Sequence, residues 1–177
     1  MSNPSQQARL AGTNLGESSP GLRAVILVMA LASPGAAGST WLLVGPGFGG
    51  FRKPPRRGYA SLEMNHFPDD SRFGLWASAD LPMGDGEFLG AGPCYRWPVG
   101  QTWEMSLGTG PGWYCRQSGP DLGDPLEFRS TFYVSHQFRS GSWCGASVTH
   151  LSNAGLSRHN PGTESLRVFW VIPLAWR

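Results

Sequence analysis

From about residue 40 onward, Gly, Pro, Asp and Asn cut the chain into eight segments of strand character, roughly 40–48, 58–66, 72–80, 86–97, 101–114, 126–139, 142–153 and 164–174. An even number of segments of this length suits an antiparallel sheet closed on itself, and transmembrane barrels begin at eight strands. The sixth segment shows the pattern best. Leu126, Phe128, Phe132, Val134 and Phe138 share one parity, and Glu127, Arg129, Thr131, Ser135 and Gln137 share the other. A period of two is that of a strand with unlike faces. The eighth segment repeats it with Leu166, Val168, Trp170, Ile172 and Leu174. A soluble barrel also alternates, with its apolar face inward, so alternation alone does not separate membrane from water.

Composition separates them. Only 15% of residues are charged, against 25 glycines, 15 prolines, 8 tryptophans and 9 phenylalanines, and the polar parity is too bulky and charged for a dry core. The expectation is an all-β, eight-stranded antiparallel transmembrane β-barrel of outer-membrane type, one domain over residues 38–177. Trp113, Tyr114, Trp170 and Trp176 are candidates for its interfacial aromatic girdle. A chain that ends on its last strand suits a barrel whose first and last strands pair. Pro46, Pro54 and Pro55 predict interruptions in the first hairpin, residues 40–66.

Residues 24–32 form an apolar run, preceded by Arg9 and Arg23 and followed by the small residues 33–38. That is the layout of a secretory signal peptide, read here as residues 1–37 with cleavage near Ala37. The run is shorter than the ~20 apolar residues of a membrane-spanning helix. A net charge of +2, with basic residues clustered only at Arg52, Lys53, Arg56 and Arg57, leaves no nucleic-acid footprint. Cys94, Cys115 and Cys144 have neither metal-ligand spacing nor an even number. All three read as small apolar residues, with a Cys94–Cys115 bond in an oxidising periplasm as the alternative, against which a turn near Pro98-Val99-Gly100 would set Cys94 opposite residues near Glu104.

The run His150-Leu151-Ser152-Asn153-Ala154-Gly155-Leu156, followed by Asn160-Pro161-Gly162-Thr163-Glu164-Ser165, carries the chemistry. Residues two apart on a strand project from one face, so His150 and Ser152 lie side by side. A serine hydroxyl becomes a useful nucleophile when an adjacent imidazole accepts its proton, and the imidazole needs a partner that fixes its tautomer. Glu164, at the head of the returning strand, is placed for that role. Parity puts all three on the outward face, where ionisable groups are costly, though less so near the interface than at the midplane. The same residues would also suit an interfacial loop without chemistry. His66, His136 and His159 read as structural or solvated, and no group of His, Cys, Asp or Glu has metal-ligand spacing.

The pattern His-x-Ser-Asn-Ala-Gly, then Asn-Pro-Gly-x-Glu-Ser and a strand ending Ile172-Pro173-Leu174, resembles the lipid A 3-O-deacylase (PagL) family of eight-stranded outer-membrane barrels. The resemblance runs back through Leu126-Glu127-Phe128 and Leu122-Gly123 to about residues 108–112, some 40% of the chain. It implies Ser152 as nucleophile, His150 as general base and Glu164 as the orienting acid. It also implies oxyanion donors from Asn153 and Gly155, and Phe128 beside the acyl groove. Two positions after Phe128 the family carries an aspartate where this chain has Ser130, which bears on the substrate pocket and not on the triad.

The implied function is a serine esterase of the outer membrane that removes the ester-linked 3-hydroxyacyl chain at position 3 of lipid A. Its partners are lipopolysaccharide and outer-membrane lipids, with homodimerisation left open. A serine triad requires no metal or other cofactor. Two other readings compete with it. One is a non-catalytic structural or adhesive outer-membrane barrel, which long polar loops would favour, whereas the connections here read as short. The other is a soluble lipocalin-like binder.

Overall fold

The computed structural model describes residues 38–50, 57–69, 71–82, 86–116 and 119–174. The expected leader, most of the basic cluster, Pro54, Pro55 and Trp176 lie outside these residues. Eight strands follow one another: β1 (Gly38–Gly49), β2 (Arg57–Pro68), β3 (Phe73–Pro82), β4 (Glu87–Val99), β5 (Trp103–Cys115), β6 (Leu126–Gln137), β7 (Trp143–Ser152) and β8 (Thr163–Leu174). All neighbours are antiparallel and β8 returns to β1, so the barrel closes and leaves no exposed sheet edge. Each expected segment becomes a strand, with its ends displaced by no more than two residues.

The first hairpin is more regular than its prolines predict. β1 runs through Pro46, which stays in register with Ala60 of β2. The interruption falls on the other side, where the ladder to β8 skips Gly45 and Pro46 and resumes at Gly47 opposite Arg167. A proline lacking its N–H can sit in a strand where only one ladder is broken. The β4–β5 turn also differs from expectation. Pro98 and Val99 remain in β4, and Gly100, at φ 68°, opens the turn. Pro98 therefore faces Glu104, and Cys94 faces Gly108. The three cysteines are free, as expected.

The wall has inside-out polarity. Outward positions carry exposed Leu75, Trp113, Phe132, Val148, Val168 and Trp170, while Glu63, Arg129, Thr131 and Arg167 are buried in the lumen. A soluble barrel would show the reverse. Glu63 Oε2 binds Arg129 Nη2 at 2.5 Å and Arg167 Nη2 at 3.1 Å. Arg129 also donates to Ser78 and, at 2.9 Å, to Thr131, and Arg167 donates to Ser61 and Ser147. Buried charges persist only when paired and hydrogen-bonded in this way. Trp76 and Phe88 fill the lumen beside β5, in space left by Gly108 and Gly112, where an added Cβ would meet their rings.

One end of the barrel has the short connections 69–72, 100–102 and 138–142, and the other has 50–56, 83–86, 116–125 and 153–162. Near the short-turn end, Phe73, Tyr95, Trp97 and Phe132 form a chain of ring contacts along the outer wall. Trp103, His136 and Phe138 form a second. Trp113 and Trp170 face outward as expected. Tyr114 does not. It is buried, and its hydroxyl donates to the Pro120 carbonyl at 3.2 Å, because its parity on β5 is opposite to that of Trp113.

Candidate active site

β7 rises and β8 descends at the long-loop end, and their register sets His150 directly opposite Glu164. The same row continues through Ser130 of β6, opposite His150, to Thr109 of β5, opposite Ser130. Ser152 lies one outward position further up β7, opposite Phe128. The structure thus gathers His150, Ser152, Glu164, Phe128 and Ser130 in two neighbouring rows on the outer wall.

His150 Nδ1 is 3.5 Å from Glu164 Oε1, and the two side chains are 52% and 17% exposed. A histidine held through Nδ1 presents Nε2 to its other neighbour, which is the orientation a base beside a serine requires. The ring edge points the same way. An added Cβ at Gly162 would lie 3.1 Å from His150 Cε1 and 3.7 Å from Nε2, so the Nε2 edge leans toward the loop-side end where Ser152 sits. Among the described residues Ser152 Oγ has no hydrogen bond to the ring, and catalytic hydrogen bonds are often long before substrate arrives.

Asn153 is fully buried and points into the loop instead of outward. Its Nδ2 donates to the carbonyls of Leu122 and His159 and to Ser157 Oγ, at 3.0, 2.9 and 3.0 Å. Its Oδ1 accepts from Gly155 N at 3.0 Å, while its own N–H donates to Asn160 Oδ1 at 3.2 Å. Both expected oxyanion donors are therefore engaged within the loop, and the Asn153 side chain is a fastener. Its role was hidden from the sequence because Leu122 is distant in the chain. The signal was the Leu122-Gly123 pair. Gly123, at φ 94°, lets loop 116–125 approach so closely that a Cβ there would meet the His159 carbonyl oxygen at 1.8 Å.

Thr109 and Ser130 are exposed on a largely apolar wall, and their hydroxyls are 3.2 Å apart. His136 joins the aromatic contacts, His66 Nδ1 lies 2.9 Å from Thr40 Oγ1, and His159 belongs to the loop fastened by Asn153. None of them reaches the outward trio. Among the described residues no group of three His, Cys, Asp or Glu is placed to hold a metal.

A serine, an imidazole and a carboxylate on the lipid-facing side of a closed sheet is a specific arrangement, and residues 89–173, from β4 through β8, match the lipid A 3-O-deacylase (PagL) family. Over these residues the chain is similar to PagL. Lipid A deacylase PagL of Pseudomonas aeruginosa is 36% identical over 59 residues, a stretch of 33% of this chain and 34% of that protein. The match thus spans about a third of that relative's length. The crystal structure of the outer membrane enzyme PagL superposes with a TM-score of 0.58 at 22% identity, covering 77% of this chain and 99% of that one. A de novo designed transmembrane β-barrel gives 0.55 at 9% identity, over 80% of this chain and 100% of the design. The fold is thus shared with transmembrane barrels of unrelated sequence, while the PagL likeness in sequence falls on the strands that carry the trio.

Proposed function

We propose that the protein is a lipid A 3-O-deacylase of the outer membrane, exported by a leader over residues 1–37 that is cleaved near Ala37. Ser152 Oγ attacks the ester carbonyl of the 3-hydroxyacyl chain while His150 Nε2 accepts its proton. His150 then delivers that proton to the departing sugar oxygen. Glu164, at Nδ1, holds the tautomer and steadies the imidazolium. Water hydrolyses the acyl-Ser152 by the same steps in reverse order. The backbone N–H groups of Asn153 and Gly155 follow the nucleophile directly and, on this reading, turn from their side-chain acceptors to the oxyanion, a contribution of about 3–4 kcal/mol per donor in comparable sites. Phe128, opposite Ser152, flanks the acyl chain along the wall. Ser130 stands where the family carries an aspartate, so it bears on chain selectivity.

The observation that carries the reading is the pairing of His150 Nδ1 with Glu164 Oε1 on the outer face, with Ser152 on the same face one step away. A substrate anchored in a lipid leaflet reaches such a site by lateral diffusion, and a lumenal site would be closed to it. The test compares fatty-acid release from lipopolysaccharide by the refolded protein and by Ser152→Ala. The variant is expected to keep the barrel and lose the release. Equal release by both proteins rules Ser152 out as the nucleophile.

A further inference from the structure

Behind the outward trio, on the inner side of β7 and β8, the barrel mouth holds an open cavity of about 290 Å³. Thr149 and Leu151, which alternate along β7 with His150 and Ser152, form part of its wall, as do Gly162 and Thr163 at the head of β8. It is bounded across the lumen by Asp80 and on neighbouring β6 by Arg129, the latter only 2% exposed. Most of its lining is apolar, from Phe88, Leu151 and Pro161 among others, but Tyr59, Asp80, Arg129 and Thr149 offer hydrogen-bond partners to waters held among them.

Deacylation sets a requirement that the outer wall does not meet. Acylation needs only the lipid, but the second half of the reaction needs a water at His150 Nε2 while an acyl chain lies along the outside. That face is bordered by Phe128, Phe132 and Val148. Gly162 lines the cavity, and a Cβ built on it would touch the His150 ring, so it stands between the base and the lumen. The backbone there is in the left-handed region at φ 60°, and an added Cβ would stand 3.1 Å from His150 Cε1. Base and cavity are therefore separated here by one residue without a side chain.

We propose that the mouth cavity supplies the hydrolytic water, and that Gly162 is the passage by which it reaches His150 from the lumen side. The step balances simply. The water oxygen bonds to the acyl carbonyl carbon as one of its protons passes to His150 Nε2. Collapse of the tetrahedral intermediate then breaks the bond to Ser152, whose Oγ takes that proton back, and the free carboxylic acid leaves. Lipid thus enters from the membrane and water from the barrel mouth, on opposite sides of one two-stranded wall. The inference rests on the acyl-enzyme reading above.

The test plugs the cavity from β1, the strand that pairs with β8. An added Cβ at Gly49 has only Ser165 Cβ nearby, at 3.9 Å, so Gly49→Phe has room to project inward and leaves the outward trio untouched. Ser165→Phe is a second plug from β8, and heat-modifiable migration on gels confirms that each barrel is folded. The refolded proteins are mixed rapidly with lipid A, and released lipid, released fatty acid and intact protein mass are followed. The plugged barrels are expected to give the wild-type burst of deacylated lipid, about tenfold slower steady turnover, and protein heavier by one acyl chain. Wild-type turnover without acylated protein in both variants overturns the proposal. So does an equal loss of burst and turnover in folded protein, since a plug that acts through water spares acylation. Wild-type protein that releases no fatty acid overturns the deacylase reading, and this proposal with it.

Discussion

The imidazole of His150 is held by Glu164 Oε1 at Nδ1, and its other edge faces Gly162, where an added Cβ would come within 3.1 Å of Cε1. Gly162→Ala makes that dependence measurable. At φ 60° a Cβ costs about 1–2 kcal/mol in backbone strain alone, and here it also presses on the ring. The expected result is a modest drop in the urea midpoint with a disproportionate loss of kcat, about 10²-fold if proton transfer is misaligned. A kcat that falls no further than stability does would mean that the ring position is not critical. At this scale the juxtaposition of the trio was legible from spacing, because residues 150 and 152 share a face and Glu164 heads the next strand, whereas its reading as catalytic came from the family resemblance. The commitment of Asn153 was not legible, since its partner Leu122 lies across a loop and no local pattern announces a contact between loops. Tyr114 was misread for a simpler reason: a tryptophan and a tyrosine side by side on a strand cannot both face the membrane.

The β7–β8 hairpin and loop 116–125 act as one element, joined by Asn153. Removing that side chain by Asn153→Ala leaves the buried Leu122 carbonyl without its donor, at about 1–3 kcal/mol, while the His159 carbonyl keeps the Ser157 hydroxyl. The loss should stay local. Faster proteolysis within residues 116–125 and 153–162 is expected, with lower activity and a wild-type midpoint for the rest of the barrel. Proteolysis unchanged in both loops would show that they are held by other contacts. Strand positions were readable within two residues because turn residues and alternation agree in every segment. The β4–β5 register was not, since Pro98 resembles a turn residue but remains in β4 and the reversal begins at Gly100. Pro46 shows the same limit: a proline costs one ladder bond and does not end a strand that keeps its other neighbour.

The barrel as a whole is inverted in polarity, held by closure and by a charged lumenal network with buried rings such as Trp76, Phe88 and Phe169 packed around it. The polar parity of β6 foretold that inversion, but not which groups meet, because Glu63, Arg129 and Arg167 come from strands far apart in sequence. Glu63→Leu leaves two buried guanidinium groups without their shared carboxylate, and a loss of about 3–5 kcal/mol is expected in denaturant unfolding from detergent. An unchanged midpoint would mean that Asp80 or water takes over the charge. The same inversion is what places an esterase-like trio in contact with lipid, and the account stands or falls on that placement doing chemistry. The most direct measurement is the mass spectrum of lipid A before and after incubation with the refolded protein, with Ser152→Ala in parallel. Loss of a single 3-hydroxyacyl chain with the wild type alone is the predicted result, and lipid A of unchanged mass in both samples would contradict it.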